Sequence, residues 1–497
     1  MIRTSTLEGS GPEAPKDDIA RLAGRGTVFI TAAKVWFIAT GYGIYFALPR
    51  LLSVEQWGLY VVAIGAVSVI NAVIVTGTYQ TVSKYVSQEE ETADAVKAAA
   101  LKLQLVVGGG TALGFFLLAG AIAGYLNDQR LTVYLRLASL ITLSYSFYAV
   151  YTGYFNGRRK FLTQAGLDAA YSTLKVVLIV LFAWLGYGVG GAVSGFALAA
   201  ASVLVLSALV AGKGSRSREV RRGELFRFQS YLLVSTLVIN LLQRTDLFLV
   251  KARSASDPAT ASANAGYYAA AAALAGVTYQ IIISVTFIIF PLVSQATFAG
   301  DGARTRTYIS NTIRYTLMIM ALVATLLSAN SAEVLHVVYT DDYQVGAKAL
   351  SVLAYGMVLF GLFYVLTTII SASGRPVISL LIGAFALVAS GVFNFVLIPR
   401  YGLMGAAVGT TAAMFLGALV SGGYVKRTLG AFLPWASALR IGGCSICVYL
   451  LSRLFAPEAR WLIVLQLAAM GTVYVAALIL SGELSRSDLK AARRIVA

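Results

Sequence analysis

The segment YGVGGAVSG at residues 187–195 returns as YGLMGAAVG at residues 401–409, 214 positions further along the chain. A shorter pair, GLY at 58–60 and GYY at 266–268, lies at an offset of 208. Matches at nearly one offset indicate an internal duplication. In transporters such repeats place the binding site between the two halves.

Apolar residues make up 58% of the 497 residues and charged residues only 12%. An average soluble domain is about one-quarter charged, so the composition excludes a soluble globular protein. A membrane-spanning helix needs roughly 20 apolar residues, and the apolar runs predict an all-α polytopic membrane protein with about fourteen spans. They lie at 27–48, 58–79, 101–125, 131–151, 166–187, 190–211, 229–250, 265–296, 309–329, 346–370, 376–398, 404–424, 435–455 and 461–481.

The repeat offset divides these spans into two six-helix halves. Because an even number of spans separates matching positions, the halves share one orientation and are related by an axis along the membrane normal. The last two spans are an appendage. The predicted division is an N-terminal tail at 1–26, an N-lobe at 27–211, a basic linker at 212–228, a C-lobe at 229–424, two further spans at 435–481 and a C-terminal tail at 482–497.

The net charge of +17 would suggest a nucleic-acid partner in a soluble protein. Here the basic residues alternate between loops, and most of the 39 Lys and Arg residues lie on one side of the predicted spans. The positive-inside rule therefore predicts that both termini are cytoplasmic. The charge belongs to the loops, and no nucleic-acid partner is expected.

Four segments carry a family resemblance: RLLSVEQWGLY at 50–60, GYYAA at 266–270, FPLVS at 290–294 and NFVLIPRYGLMGAA at 394–407. They resemble bacterial flippases of the polysaccharide and oligosaccharide-lipid branch of the multidrug/oligosaccharidyl-lipid/polysaccharide exporter superfamily. The resemblance covers residues 22–425. Fourteen spans also fit the branch that exports the peptidoglycan precursor.

This resemblance implies a V-shaped pair of six-helix lobes in the bacterial cytoplasmic membrane. Such a protein moves a polyprenyl-diphosphate-linked oligosaccharide from the cytoplasmic to the outer leaflet. Its partners would be this lipid, the surrounding membrane lipids and the polysaccharide assembly machinery. It would not be an enzyme, and it would need no cofactor apart from Na⁺ or H⁺ as a coupling ion.

Lys34, Lys175 and Arg244 lie inside predicted spans. An ionisable side chain at mid-bilayer costs about 2.5 to 3.5 kcal/mol, so it normally faces a cavity or a partner. We therefore expect a basic, water-filled cavity for a diphosphate, because ammonium and guanidinium groups bind phosphate well. Two alternatives stay open: Lys34 snorkelling to the interface, and Lys175 in a structural polar network.

Helical spacing places more polar residues beside these charges. Asn240, Gln243 and Arg244 form a polar stripe on the seventh span, and Tyr45 on the first span follows the helical spacing of the lysine at position 34. Asp246 is roughly 200° round a helix from Arg244, so the two are expected to face different environments.

The related peptidoglycan-precursor flippases hold sodium in the second lobe, which implies a sodium site at Asp246, Ser390, Asn394 and Thr410 here. Oxygen ligands suit a hard cation. Ser390 and Ile398 stand where amide or acidic residues would make a stronger ligand set. Proton coupling through Asp246, or a buried Asp246 hydrogen-bonded to Asn394, is the alternative.

Pro291 interrupts the eighth span, where it removes a backbone hydrogen bond and favours a kink. A bent helix at this position would gate the cavity. A static kink is the alternative.

Two other functions compete with the flippase. A cation-coupled multidrug or metabolite exporter of the same superfamily would need a compact, often acidic pocket. A polysaccharide polymerase or ligase would need acid/base groups or a metal on a sizeable outer loop. The outer loops offer chiefly Glu333, His336, Asp341 and Asp342, with no catalytic motif among them.

Overall fold

The structure is a computed structural model that describes residues 16–88, 90–212, 222–455 and 460–485. Within these ranges all the regular elements are helical, and ten helices are long and apolar enough to cross a membrane. Two of the ten contain two spans each, as described below. The predicted all-α membrane class is confirmed.

The first half of the chain forms six long helices, joined by short turns. Their order matches the predicted spans, although most helices begin or end several residues outside them. They are α1 (Lys16–Leu51), α2 (Val54–Gln88), α3 (Ala93–Tyr125), α4 (Leu131–Gly157), α5 (Phe161–Phe182) and α6 (Gly188–Ala211).

The second half repeats this arrangement and adds two C-terminal helices. Its seventh span was predicted as one helix over 229–250, but the structure divides it into two. The helices are α7 (Arg222–Leu242), α8 (Thr245–Arg253), α9 (Pro258–Phe298), α10 (Gly302–Ala329), α11 (Ser331–Val338), α12 (Ala347–Ala372), α13 (Pro376–Leu429), α14 (Trp435–Leu454) and α15 (Arg460–Leu480).

The repeated YG segments make the same turn in both halves. Gly188 has φ 57° and Gly402 has φ 55°, in the left-handed region that glycine adopts without steric cost. At Gly402 the chain turns back within α13, so that Thr410 lies within hydrogen-bonding distance of Asn394. The long helix α13 therefore contributes two spans, as does the continuous stretch from α5 to α6.

The two halves touch at one end of the bundle, where α2 meets α9. A Cβ atom added to Gly58 would lie 1.7 Å from the Ser262 carbonyl oxygen, and one added to Gly266 would lie 2.5 Å from the Val54 carbonyl oxygen. Gly58 and Gly266 are matching positions of the repeat. The loop charges predict that this is the outer end, and we use that name below.

Towards the other end, the inner end, the described residues join the halves along one edge. There α2 packs on α7, and the Gln229 amide donates a hydrogen bond of 3.0 Å to the Thr78 hydroxyl. The opposite edge is less covered, because residues 34–39 of α1 are exposed. The lobes are therefore closed at the outer end and separate beside α1.

The two C-terminal helices pack against α10. The Tyr474 hydroxyl donates to the Met318 carbonyl oxygen at 3.2 Å. Glu483, just beyond α15, is buried and forms ion pairs with Arg314 at 3.1 Å and Arg440 at 3.5 Å. These contacts fix α14 and α15 to the second lobe.

Pro291 lies within α9, and the helix runs through it without interruption from Pro258 to Phe298. Its side chain is exposed. The predicted gating role of Pro291 stays a prediction.

The close contact of α2 and α9 gives a first testable prediction. Gly58→Ala should force the outer end open, because its new Cβ would meet a backbone oxygen that cannot move alone. The measurement is the labelling rate of Ala273→Cys, a cavity residue, by an impermeant maleimide added outside cells whose native Cys444 and Cys447 are serine. We expect faster labelling.

Gly276→Ala is the matched control, because a Cβ at Gly276, also on α9, would meet nothing within 4 Å. Equal labelling rates in the two glycine variants would contradict a closed outer end.

Candidate functional site: an interlobe cavity

A cavity of about 380 Å³ lies between α1 of the first lobe and five helices of the second. Helix α1 contributes one face of its surface, and Ile38, Gly41 and Tyr45 follow the spacing that the sequence predicted. The lining residues are Phe37, Ile38, Gly41, Tyr42, Tyr45, Leu242, Gln243, Arg244, Asp246, Leu247, Tyr268, Ala269, Ala272, Ala273, Gly276, Tyr279, Gln280, Met357, Phe360, Thr410 and Met414.

The walls of this cavity combine aromatic rings with a few polar groups. The Tyr42 hydroxyl lies near the Gln280 amide across the lobes, and the Tyr279 hydroxyl lies near the Gln243 amide. Tyr45 packs edge-on against Trp57, with ring centroids 5.3 Å apart. Aromatic faces and amides are side chains that can bind sugar rings and their hydroxyls.

The break between α7 and α8 brings the charged residues Arg244 and Asp246 into the same cavity. Arg244 has φ −128°, outside the helical range, and the Thr245 hydroxyl donates to the Leu241 carbonyl oxygen at 2.7 Å. The expectation that Arg244 and Asp246 face different environments was wrong. It assumed a continuous helix, whereas the chain leaves helical geometry at Arg244.

The four residues of the predicted sodium site lie together at the cavity wall, where Asp246 and Thr410 line the cavity. The Thr410 hydroxyl donates to the Asp246 carboxylate at 3.2 Å. The Asn394 amide nitrogen donates to the Thr410 hydroxyl at 3.2 Å and to the Ser390 carbonyl oxygen at 2.9 Å. Sequence reasoning missed Tyr268, whose hydroxyl donates to Asp246 at 2.7 Å, although Tyr268 lies in the repeated GYY segment.

The oxygen atoms of this cluster fit a small hard cation in part. The Asn394 side-chain oxygen is buried and has no hydrogen-bond partner among the described residues. The Asp246 carboxylate, in contrast, already accepts hydrogen bonds from Tyr268, Thr410 and the Leu247 amide at 2.8 Å. A carboxylate and an unpaired amide oxygen could hold sodium, and the same carboxylate could hold a proton.

Three residues predicted for the substrate site lie elsewhere. Asn240 is turned along its own helix, with its amide donating to the Thr236 carbonyl oxygen at 2.8 Å. Lys34 is exposed one turn from the cavity lining and interacts electrostatically with Asp168. Lys175 is buried inside the first lobe, because its helix turns that face towards α1 and α6. The cavity is less basic than expected, with Arg244 as the cation in its lining.

Above the cavity, an ion-pair cluster crosses between the lobes at the outer end. The Lys251 ammonium on α8 lies 2.9 Å from the Asp128 carboxylate, which lies between α3 and α4. Lys251 is 0% exposed and Asp128 is 4% exposed. Arg130 pairs with Asp128 at 2.9 Å and with Glu55 at 2.6 Å. We call these four residues the outer clasp.

Asp128 stays ionised in this cluster. Burial alone would raise its pKa, but hydrogen bonds from Arg130 and Lys251 outweigh burial and lower the pKa to about 2. A lowered pKa stabilises the clasp above the ordinary value of 3.8, and this contribution is lost only as the pH falls through about 2. The Asp128 carboxylate therefore stays charged at physiological pH.

The outer clasp gives a second prediction. Lys251→Met should weaken the closed outer end by about 3 kcal/mol, because it leaves a buried carboxylate that has lost one of its two cations. Hydrogen–deuterium exchange over residues 250–262 should then become faster. In the unmodified protein the protection factor of these amides, which corrects for the intrinsic rise of exchange with pH, should stay unchanged between pH 5 and pH 8.

Arg253→Met is the control, because Arg253 lies on the same helix but is exposed and stacks on Phe395 at 3.8 Å. If exchange becomes equally fast in both variants, the loss of a positive charge on α8 explains the effect, and the clasp does not.

Two six-helix halves that meet over a central cavity define the fold of a membrane transporter. The model of the polysaccharide biosynthesis protein family matches residues 47–348, more than half of the chain, and the protein belongs to that family. This match confirms the resemblance that the sequence carries.

Solved structures share most of the fold. The lipid II flippase MurJ, in an inward closed conformation, is 14% identical, with a TM-score of 0.76 over 92% of this chain and 99% of that chain. A multidrug resistance MATE family transporter of the MOP superfamily, in an inward-facing conformation, is 16% identical, with a TM-score of 0.68 over 80% of this chain and 94% of that chain.

A curated relative is the probable low-salt glycan biosynthesis flippase of Haloferax volcanii. It is 21% identical over 181 residues, which are 36% of this chain and 38% of the relative. The chain therefore matches less than half of the length of that relative.

Proposed function

We propose that this protein is a flippase that moves a polyprenyl-diphosphate-linked oligosaccharide, the repeat unit of a cell-surface polysaccharide, across the cytoplasmic membrane. The observation that carries the proposal is the placement of Arg244 in an interlobe cavity whose remaining walls are largely aromatic, amide and apolar. A guanidinium binds phosphate through paired hydrogen bonds. The aromatic and amide walls suit sugar rings.

Transport would proceed by alternating access between the lobes. The closed outer end, with its glycine contact and clasp, fits a state that receives cargo from the inner leaflet. The exposed stretch of α1 at residues 34–39 gives a route for a headgroup while the polyprenyl tail stays in lipid. Lys34 lies on this route. We place both termini in the cytoplasm, and the polysaccharide assembly machinery would receive the exported unit.

The coupling ion is proposed to bind at Asp246, as Na⁺ or as H⁺. The buried carboxylate and the unpaired Asn394 oxygen support this placement. Because Asp246 and Arg244 lie at the same helix break, an ion at Asp246 would change the field at the phosphate-binding guanidinium.

A cation-coupled drug exporter is the second candidate, and the MATE-like fold favours it. A cationic drug needs a carboxylate that is accessible in the pocket. Here Asp246 is 6% exposed and its carboxylate is already hydrogen-bonded, while Arg244 would repel a cation. The charges of the cavity therefore favour an anionic headgroup.

Deletion of the protein followed by lipid extraction tests the proposal. We expect the complete diphosphate-linked repeat unit to accumulate on the inner leaflet. A normal lipid-linked pool would favour the drug exporter, and exported but unpolymerised units would favour an assembly enzyme.

The site residues give a third prediction. In the deletion strain, Arg244→Ala and Lys34→Ala should each lower export about ten-fold or more, because Arg244 would bind the phosphate in the cavity and Lys34 would bind it on the entry route. Arg244→Lys should retain part of the activity. Arg136→Ala, which removes an exposed arginine that stacks on Phe116, is the control. Export at the unmodified level in the Lys34/Arg244 double variant would contradict the phosphate-binding role.

The coupling site gives a fourth prediction. If sodium binds, NaCl should stabilise the purified protein relative to choline chloride by about 3 kcal/mol at a hundred-fold excess over the dissociation constant. Asp246→Asn should abolish this stabilisation. If a proton binds, Asp246→Asn should instead remove the dependence of transport on a pH gradient.

Asp342→Asn is the control for both arms, because Asp342 is an exposed acid outside the cluster. Ion dependence that survives Asp246→Asn would exclude Asp246 as the coupling site.

A further inference from the structure

Lys175 is surrounded by aromatic rings inside the first lobe. Its ammonium lies 4.4 Å from the ring centre of Phe37, 5.4 Å from that of Tyr171 and 5.7 Å from that of Phe196. The residue is 7% exposed. Ring faces attract a cation, but they recover only part of the cost of removing an ammonium from water.

Within the described part of the chain, Lys175 has no carboxylate partner. The nearest acid along its helix is Asp168, seven residues earlier and about 10 Å away along the axis. The Asp168 carboxylate accepts a hydrogen bond of 2.7 Å from Tyr148 and interacts with Lys34. A buried cation that no described carboxylate pairs with marks a candidate binding site for an anionic ligand.

Only one of the three rings separates Lys175 from the interlobe cavity. Phe37 lines the cavity and is 43% exposed, so its ring borders open space. Tyr171 is 2% exposed and its hydroxyl is bonded to that of Tyr145, while Phe196 is 9% exposed. Two walls are fixed in the core of the lobe, and the third can turn into the cavity.

The depth of Lys175 suits a ligand held between the lobes. Counted along the chain, Lys175 lies about 18 Å from the outer turn at Gly188, because the helical residues Ala183–Tyr187 continue α5. Arg244 lies about 13 Å from the outer end of α8, and Lys34 lies deeper than either, about 25 Å from the outer end of α1. Lys175 is therefore at a depth between those of Arg244 and Lys34, on the lobe opposite Arg244.

We propose that Lys175 is a second binding residue for the diphosphate, and that the Phe37 ring covers it until the anion enters the cavity. Phe37 is then a positioning residue, because it acts through Lys175. This inference rests on the proposed function, in which the cargo carries a diphosphate. It assigns the two phosphates to cations of different lobes.

Binding of inorganic pyrophosphate to the purified full-length protein tests the role of Lys175. Lys175→Met should weaken binding about ten-fold, the effect of one lost charge-assisted contact. Methionine fills a similar volume and packs well against rings, so the lobe should stay folded. Lys160→Met, which removes an exposed lysine just before α5, should leave binding unchanged. Equal affinities for the Lys175→Met variant and the unmodified protein would overturn the proposal.

The covering role of Phe37 is tested by a measurement that would not change if Phe37 were only a packing residue. Modification of Lys175 by an amine-reactive reagent, followed by mass spectrometry, should be slow in the unmodified protein and about ten-fold faster in Phe37→Ala. Pyrophosphate should then protect Lys175 but not Lys160. Slow modification of Lys175 in Phe37→Ala would show that Phe37 does not cover it.

Failure of this inference is distinguishable from failure of the proposed function. If the lipid-linked unit accumulates in the deletion strain but Lys175→Met does not change pyrophosphate binding, only the role of Lys175 is rejected. Lys175-dependent pyrophosphate binding without such accumulation would keep the anion site and reject the oligosaccharide cargo.

Discussion

The contact between the backbones of α2 and α9 is the constraint on which the rest of the structure depends. A side chain at Gly58 or Gly266 would collide with the facing backbone, so the lobes are fixed together at this point. The two glycines are matching positions of the repeat. Each half therefore contributes one glycine that lets the two backbones approach closely at the outer end. The clasp lies at the same end. The cavity lies between α1 and the second lobe.

Helix α8 connects the two features on which a transport cycle would act. It is nine residues long and begins at the break beside Arg244. Asp246 near its start lines the cavity, and Lys251, five residues further along the chain, is the clasp residue that belongs to the second lobe. A helix this short moves as one piece, so a shift of Asp246 is also a shift of Lys251. Coupling of this kind would require two arrangements of α8, and the break at Arg244 is where α8 would change its angle to α7.

The sequence predicted the helical class, the repeat and the grouping of Asp246 with Asn394 and Thr410. These follow from local signals: apolar length, matching segments and a family resemblance. It could not predict the break at Arg244 or the surroundings of Lys175. Periodicity gives the face of a helix but not which neighbour covers that face.

The clasp was missed for a related reason. Lys251 and Asp128 are separated by 123 positions, and each looks like an ordinary loop charge on the side that carries few basic residues. Only the packing of the two lobes shows that both are buried. Charges at the ends of spans therefore cannot be divided into interfacial and interlobe groups from one sequence.

The arrangement of Lys34, Lys175 and Arg244 shows how basic side chains can be kept inside a membrane protein before an anionic ligand binds. Three uncompensated cations in one cavity would repel each other and cost several kcal/mol each to desolvate. The structure avoids this cost differently for each cation: Lys34 interacts with Asp168, Lys175 is covered by rings, and Arg244 shares its cavity with Asp246. An anion with two phosphates can replace these weak interactions with strong ones. The three cations would therefore gain more binding energy from a diphosphate than they lose with their present contacts, whereas a cationic cargo would offer them no such gain.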